Sequence, residues 1–253
     1  MSQGTDSAGT PWSGRHFDDN AFADDDGTAP PKLLEALLRF RAGELGESEV
    51  VDAVRDTRLL IPLVARLGEA GEGEHGHIVD KSAELAIVTV EAPDGRSVLP
   101  AFTSAAAMSA WNPKARPVPA DGTRVALAAA SEDTDLVILD PTSPTEFAIR
   151  RPALWALAKA ESWIPSYLDR EVLQAFLDSA TREPAVSSLD LDHGDPDARL
   201  AGPELIVYLG LRPGLDAAQL DSLLARLQEG WAASPVIAAR VDSMAIKLAT
   251  AAG

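Results

Sequence analysis

The sequence contains no cysteine in its 253 residues. Disulfides, thiolate nucleophiles, iron–sulfur clusters and cysteine-ligated zinc are therefore excluded together. No apolar run approaches the ~20 residues that a membrane-spanning helix needs. The opening stretch, MSQGTDSAGTPWSGRHFDD, lacks a basic segment followed by an apolar one. No signal peptide is expected from it, and the cytoplasm is the expected compartment. Positive charge is scarce: 22 Lys and Arg stand against 39 Asp and Glu, a net charge of −17. Such a surface repels phosphate backbones and anionic headgroups alike, which sets aside nucleic-acid and membrane-surface roles. There is also no Walker sequence, no GxGxxG joining a strand directly to a helix, no HExxH and no GxSxG elbow.

Apolar residues make up 46% of the chain, an ordinary globular share. The length is large for one core and comfortable for two domains. The pattern predicts an α+β fold of two small domains, each a mixed β-sheet packed against α-helices. An acidic tail with aromatic anchors covers 1–31, a first domain 32–160 and a second 161–253.

In the tail, Trp12, Phe17 and Phe22 recur about every five residues near Asp24, Asp25 and Asp26. Rings so spaced are expected to dock on the chain's own domain, since a solvated tail gains nothing from them. Helical spacing follows at Leu33, Leu34, Leu37 and Leu38, then at Val50, Val51 and Val54. Leu59–Val64 reads as a strand whose Pro62 marks an edge or a bulge. Leu85–Val90 and Ser97–Phe102 flank Pro93-Asp94-Gly95, a hairpin signal. Thr103 or Ser104 is placed to cap a helix that carries Met108 and Trp111 and stops at Asn112-Pro113. Asp121 is expected to start a helix containing Val125. Strands at Leu136–Leu139 and around Ala148, then a helix from Pro152, complete the first domain. Beyond a connection at 161–170, a helix carries Val172 and Phe176, and strands are expected at 186–191 and 205–211. Asp216 and Gln219 form a capping-box-like helix start. A strand over Val236–Val241 and a helix around Met244–Leu248 are expected last.

Four stretches carry a family resemblance. They are Leu59-Leu60-Ile61-Pro62-Leu63-Val64, Val98-Leu99-Pro100-Ala101-Phe102-Thr103-Ser104, Trp111, and Leu139-Asp140-Pro141-Thr142-Ser143-Pro144. Together they resemble the SseB N-terminal domain, a family named for enhanced serine sensitivity, over roughly residues 11–160. Pro11–Phe17 with Asp25-Asp26-Gly27 resembles its actinobacterial branch, and the remainder is similar to the family's C-terminal domain. The resemblance implies a fold and supplies no catalytic residues.

Few candidates for chemistry remain. Ser104 as a nucleophile needs a base within hydrogen-bond reach, and no histidine is near in sequence, so the helix cap is the favoured reading. His75 and His77, beside Glu72, Glu74 and Asp80, sit in a Gly/Glu-rich loop that is a poor preorganised metal site. Asp190, Asp192, His193 and Asp195 form a denser cluster with the composition of a hard-cation site. It lacks the EF-hand Gly and Glu, and a tight turn uses the same residues. Arg150-Arg151 is the most basic spot. It could receive the acidic tail or an anionic ligand, or simply be a solvated helix start. Phe102, Trp111 and Trp155 are candidates for an interaction groove, with ordinary core packing as the plainer alternative. No cofactor is expected. The leading expectation is a non-enzymatic binding or protein-interaction protein with a protein partner. The competing one is an enzyme or binding protein for a small amino-acid-like metabolite, using Ser104 or a divalent cation at 190–197.

Overall fold

The computed structural model describes residues 22, 24–66, 84–87, 89–92, 95–131, 134 and 136–250. Helix α1 (Pro31–Arg41) starts with proline at its first position, where the missing N–H costs nothing. Its buried stripe is Leu33, Ala36 and Leu37, with Phe40 packed alongside, so Leu38 falls off it and is 53% exposed. In α2 (Glu47–Arg55) Val50, Val51 and Val54 are all buried, as their spacing predicts.

Strand β1 (Arg58–Arg66) lies between β2 (Glu84–Ile87) and β5 (Arg116–Asp121), antiparallel to both. Pro62 thus sits in a central strand in unbroken register with Pro117, against the expectation of an edge or a bulge. Pairing with β2 begins only at Leu63, and Leu60 exchanges two backbone hydrogen bonds with Phe102 at 2.8 and 2.9 Å. Pro62 lies in the seam between those two partners, where its missing donor breaks no ladder. Strand β5 was not foreseen, because Pro117 and Pro119 argue against a strand unless it is an edge, which it is.

A second sheet has the order β3 (Val90–Glu91), β4 (Ser97–Ala101), β6 (Val137–Leu139), β7 (Phe147–Ile149). Its β4–β6 pair is parallel and the others antiparallel. The expected hairpin is therefore β3–β4, with Gly95 at φ 83°. Between these strands run α3 (Ala105–Trp111) and α4 (Gly122–Ser131), and α5 (Arg151–Ala158) follows β7. Helix α4 begins one residue after Asp121, which closes β5. A β-carbon on Gly122 would stand 2.1 Å from the Val54 carbonyl oxygen, so only glycine permits α4 to approach α2 this closely.

After a 3-10 turn at Ser166–Leu168 come α6 (Arg170–Ala180), β8 (Val186–His193), β9 (Leu205–Leu211), α7 (Ala217–Ala233), α8 (Pro235–Arg240) and β10 (Met244–Thr250). The third sheet has the order β10-β9-β8, parallel then antiparallel. The expected capping box is present: Gln219 N–H donates to Asp216 and Asp216 N–H to Gln219, at 2.8 and 3.0 Å. The last two elements reverse the expected order. Ser234 caps and Pro235 opens a helix where Val236-Ile237 reads as a strand, and Met244–Thr250 forms the strand. The chain is α+β, but its first half holds two sheets where one was expected.

Packing is divided accordingly. One core joins α1, α2, α4 and α5 to Leu59, Leu99, Leu139 and Phe147. Another joins Val172, Phe176, Leu205, Val207, Leu223 and Trp231. Alternate residues of the second sheet, Val98, Ile138 and Ala148, face away from the first core. They are covered by Leu200, from the loop that joins β8 to β9, while Ala198 of that loop enters the first core. The apolar runs of β6 and β7 follow from burial on both faces.

Candidate functional site

Where the two halves meet, the structure spends arginines. Arg41 donates to the carbonyls of Asp197, at 2.6 Å, and Glu146. Arg150, just before α5, is 5% exposed. One of its terminal nitrogens donates to Asp195 at 2.6 Å and to the Gly202 carbonyl at 2.9 Å. The other reaches Asp242 at 3.0 Å and Ser243 Oγ at 3.2 Å. Arg96 from the β3–β4 hairpin donates to both Asp242 oxygens at 2.9 Å. Arg151 donates to the Val241 and Ala238 carbonyls at 2.9 and 3.2 Å, closing the end of α8. The doublet is thus neither a solvated helix start nor the receptor of the acidic tail. Asp25 pairs instead with Arg58 at 2.7 Å.

Asp195 also accepts backbone N–H groups from Arg199, Leu200 and Ala201 at 3.2, 2.8 and 3.3 Å. It folds the β8–β9 loop around itself, with Ala198 and Leu200 at positive φ of 46° and 58°. A β-carbon on Gly194 would lie 2.3 Å from the Pro203 carbonyl oxygen, so the loop's two ends close only over glycine. The sequence cluster at 190–197 is accordingly dispersed. Asp190 and Asp192 are exposed and, two apart on β8, share one face of the sheet. His193 faces the other way and stacks on Tyr167 at 4.8 Å. Among the described residues no group of three or more His, Asp or Glu is arranged to hold a metal ion. His16, His75 and His77, with Trp12 and Phe17, lie outside the described residues.

Beside the Arg150 pairs is a second acidic set that no sequence signal revealed. Glu204 is 5% exposed; one carboxylate oxygen accepts the Asp242 N–H at 2.5 Å, and the other, Oε1, has no partner. Burial pushes its carboxyl up, and the Asp242 charge adds to the effect. Glu47, at the start of α2, is pushed up to about 7 by burial and by the Glu204 charge. The neighbouring Tyr167 hydroxyl draws it back only in part, and Tyr167 is itself raised by burial and by Glu47.

Ser104 is a helix cap: its Oγ accepts the Ala107 N–H at 3.1 Å. Thr103 has a different task. Its N–H and hydroxyl donate to Asp140 at 2.8 and 2.7 Å, and the Thr145 hydroxyl donates to Asp140 at 2.9 Å. The buried Asp140, at φ 45°, ties the end of β4 to the turn after β6.

The three aromatic candidates separate. Phe102 is fully buried and meets Trp111 at 5.3 Å, in a small cluster with Leu60 and Met108. Trp155 lines a cleft of about 340 Å³ with Pro152, Trp163, Ile164 and Arg240. There Trp155 is 40% and Ile164 57% exposed, and the Arg151 guanidinium lies 5.2 Å over the Trp155 ring. The buried Trp163 indole N–H in the cleft wall has no acceptor. Trp163 and Ile164 went unnoticed in the sequence because they stand in an irregular connection with no periodicity.

No helix among the described residues is long and apolar enough to cross a membrane. No curated protein and no solved structure matches the chain. The family model of the SseB protein N-terminal domain matches residues 33–156, which span α1 to α5 and so include Asp140, Arg150 and Trp155. Over those residues, just under half of its length, the chain is similar to the SseB protein N-terminal domain family.

Proposed function

We propose that the protein is a non-enzymatic, cytoplasmic interaction protein of two domains, 32–160 and 161–253. It presents the cleft between α5 and α8 to a polypeptide partner. One observation carries this reading: Trp155 stands exposed beneath Arg151, next to exposed Ile164, in a concave site walled by both halves. Exposed aromatic and aliphatic side chains gathered in a concavity favour an apolar anchor from a partner. A ring already ordered by a cation loses little entropy on binding. By contrast, the arginines of the seam are engaged by carboxylates and carbonyls within the chain. The metabolite-enzyme alternative has no comparable support, with Ser104 used as a cap and the carboxylates of 190–197 dispersed.

The test is photocrosslinking in cells from a benzophenone amino acid at Lys159, on the cleft rim. The same partner should be captured reproducibly, and lost when Trp155 and Ile164 are both replaced by Ala. Capture of no consistent partner, or undiminished capture by the variant, overturns the reading.

A further inference from the structure

The arginines of the seam pair with some of its carboxylates and not with others. Asp195 and Asp242 take up Arg150 and Arg96 between them. Asp195 is further satisfied by three backbone N–H groups, and Asp242 by the Ser243 hydroxyl at 3.2 Å. Arg41 and Arg151 are taken up by backbone carbonyls, and among the described residues no ion pair reaches Glu204 or Glu47, which feel only the more distant charge of Arg150. Glu204 is the more enclosed. It receives one backbone N–H on one oxygen, and the Ser166 hydroxyl is its other polar neighbour, too poorly placed for a well-formed hydrogen bond to Oε1. An ionised carboxylate there has the Asp242 N–H and the Ser166 hydroxyl to offset its burial and no ion pair, which favours the neutral acid.

We propose that the seam between the two halves is latched by a proton on the Glu204–Glu47 set, and that its loss to solvent loosens the junction. The step is a simple ionisation: the carboxylic acid releases H⁺ to water and leaves a carboxylate facing Asp242 and, for Glu47, Asp195. The groups around the set come from every neighbouring element. Glu47 is on α2, Ser166 and Tyr167 on the 3-10 turn, and Asp192 and His193 at the end of β8. Asp195 comes from the β8–β9 loop, Arg150 precedes α5, Arg96 is in the hairpin, and Asp242 and Ser243 precede β10.

The direction follows from linkage. Both glutamates are raised in the folded protein, Glu47 from 4.5 to about 7. Between those values the folded state holds protons that the unfolded state has released. The stabilisation is complete below the unfolded value and is lost as pH rises through the folded one.

The test is thermal unfolding of the full chain from pH 5 to 8, with and without Glu204→Gln and Glu47→Gln. The neutral amide imitates the protonated acid in shape and charge. We expect the wild-type melting temperature to fall by about 5 °C across this range. The double variant should flatten that slope and melt higher than wild type at pH 8. His193→Gln, which removes the imidazole beside Tyr167, is the control and should keep the slope. Should the variants fail to fold, carbon-13 titration of the wild-type glutamate carboxyls gives the answer directly. Two carboxyls titrating above pH 6 support the latch. A wild-type set wholly ionised by pH 6, or a slope unchanged in the double variant, overturns it. Neither measurement involves the aromatic cleft or a partner, so failure here leaves the interaction reading to its own test.

Discussion

Arg150 and Asp195 meet at 2.6 Å, with 5% and 3% of their side chains exposed, and join two halves of the chain that are 45 residues apart. A charge pair this enclosed contributes little net stability over a well-packed apolar pair, but removing one member strands the other. Asp195→Ala should therefore cost about 3–5 kcal/mol in urea denaturation. Part of that loss comes from the three N–H groups of the β8–β9 loop that Asp195 also accepts. Arg150→Met in the Asp195→Ala background should add less than it does alone. A double-mutant cycle with no coupling would show that the pair does not act as a unit.

Asp140 offers a separate test of how β4 and β6 are held. Its carboxylate accepts from Thr103 and Thr145 inside the core, and its backbone is at φ 45°. Asp140→Ala leaves three donors unpaired and keeps a backbone conformation that alanine resists, a cost of about 3–4 kcal/mol. Asp140→Asn tolerates the left-handed backbone and keeps one acceptor, so about 1–2 kcal/mol is expected. Equal losses from the two variants in chemical denaturation would argue against this account.

Ser104→Ala should cost about 1 kcal/mol, the loss of one helix cap. Ser104→Asp should restore most of it, because a carboxylate at the same place accepts the same N–H and lies favourably at the helix start. If Ser104 served as a nucleophile, aspartate would not rescue whatever activity the chain has. Unfolding measured on the three proteins, with any later assay run on the same set, separates the two roles.

Much of the fold was legible wherever periodicity and punctuation agree. Val50, Val51 and Val54 at helical spacing, Ser104 ahead of an alanine-rich turn, and Asp216 three residues before Gln219 all state their structure locally. The errors occurred where local signals compete. At Ser234-Pro235-Val236-Ile237 a cap-and-proline helix start precedes a β-branched pair, and the cap wins because Ile237 and Val241 are buried in the second core. Pro117 and Pro119 hide a strand that is tolerated only at the edge of its sheet. The site was mostly illegible for a different reason. Arg150 was conspicuous as part of a doublet, yet its partners Asp195 and Asp242 lie 45 and 92 residues away, and nothing local marks them. Period-two alternation also parts His193 from Asp190 and Asp192, which stay together on the other face of β8.

Trp155 and Trp231 give the sharpest contrast between a surface and a core tryptophan in this chain. Trp231 is fully buried, packs edge-on against Phe176 at 5.0 Å, and donates its indole N–H to Ser179 at 2.7 Å. Trp231→Ala opens a large cavity and removes one hydrogen bond to Ser179, so about 4 kcal/mol should be lost. Trp155 is 40% exposed, and its main neighbour is the aliphatic and charged length of Arg151, which remains anchored to Val241 and Ala238. Trp155→Ala should therefore cost only about 1 kcal/mol of stability. On the interaction reading it removes the anchor of the cleft, and affinity for the captured partner should fall by about 30-fold, the loss typical of a central hot-spot residue. Trp155→Phe keeps the ring face under the guanidinium and should retain most of the binding. Calorimetric unfolding and binding titrations on the three proteins decide the matter. Binding that survives Trp155→Ala, or a stability loss as large as that of Trp231→Ala, would place Trp155 among the core residues rather than at an interface.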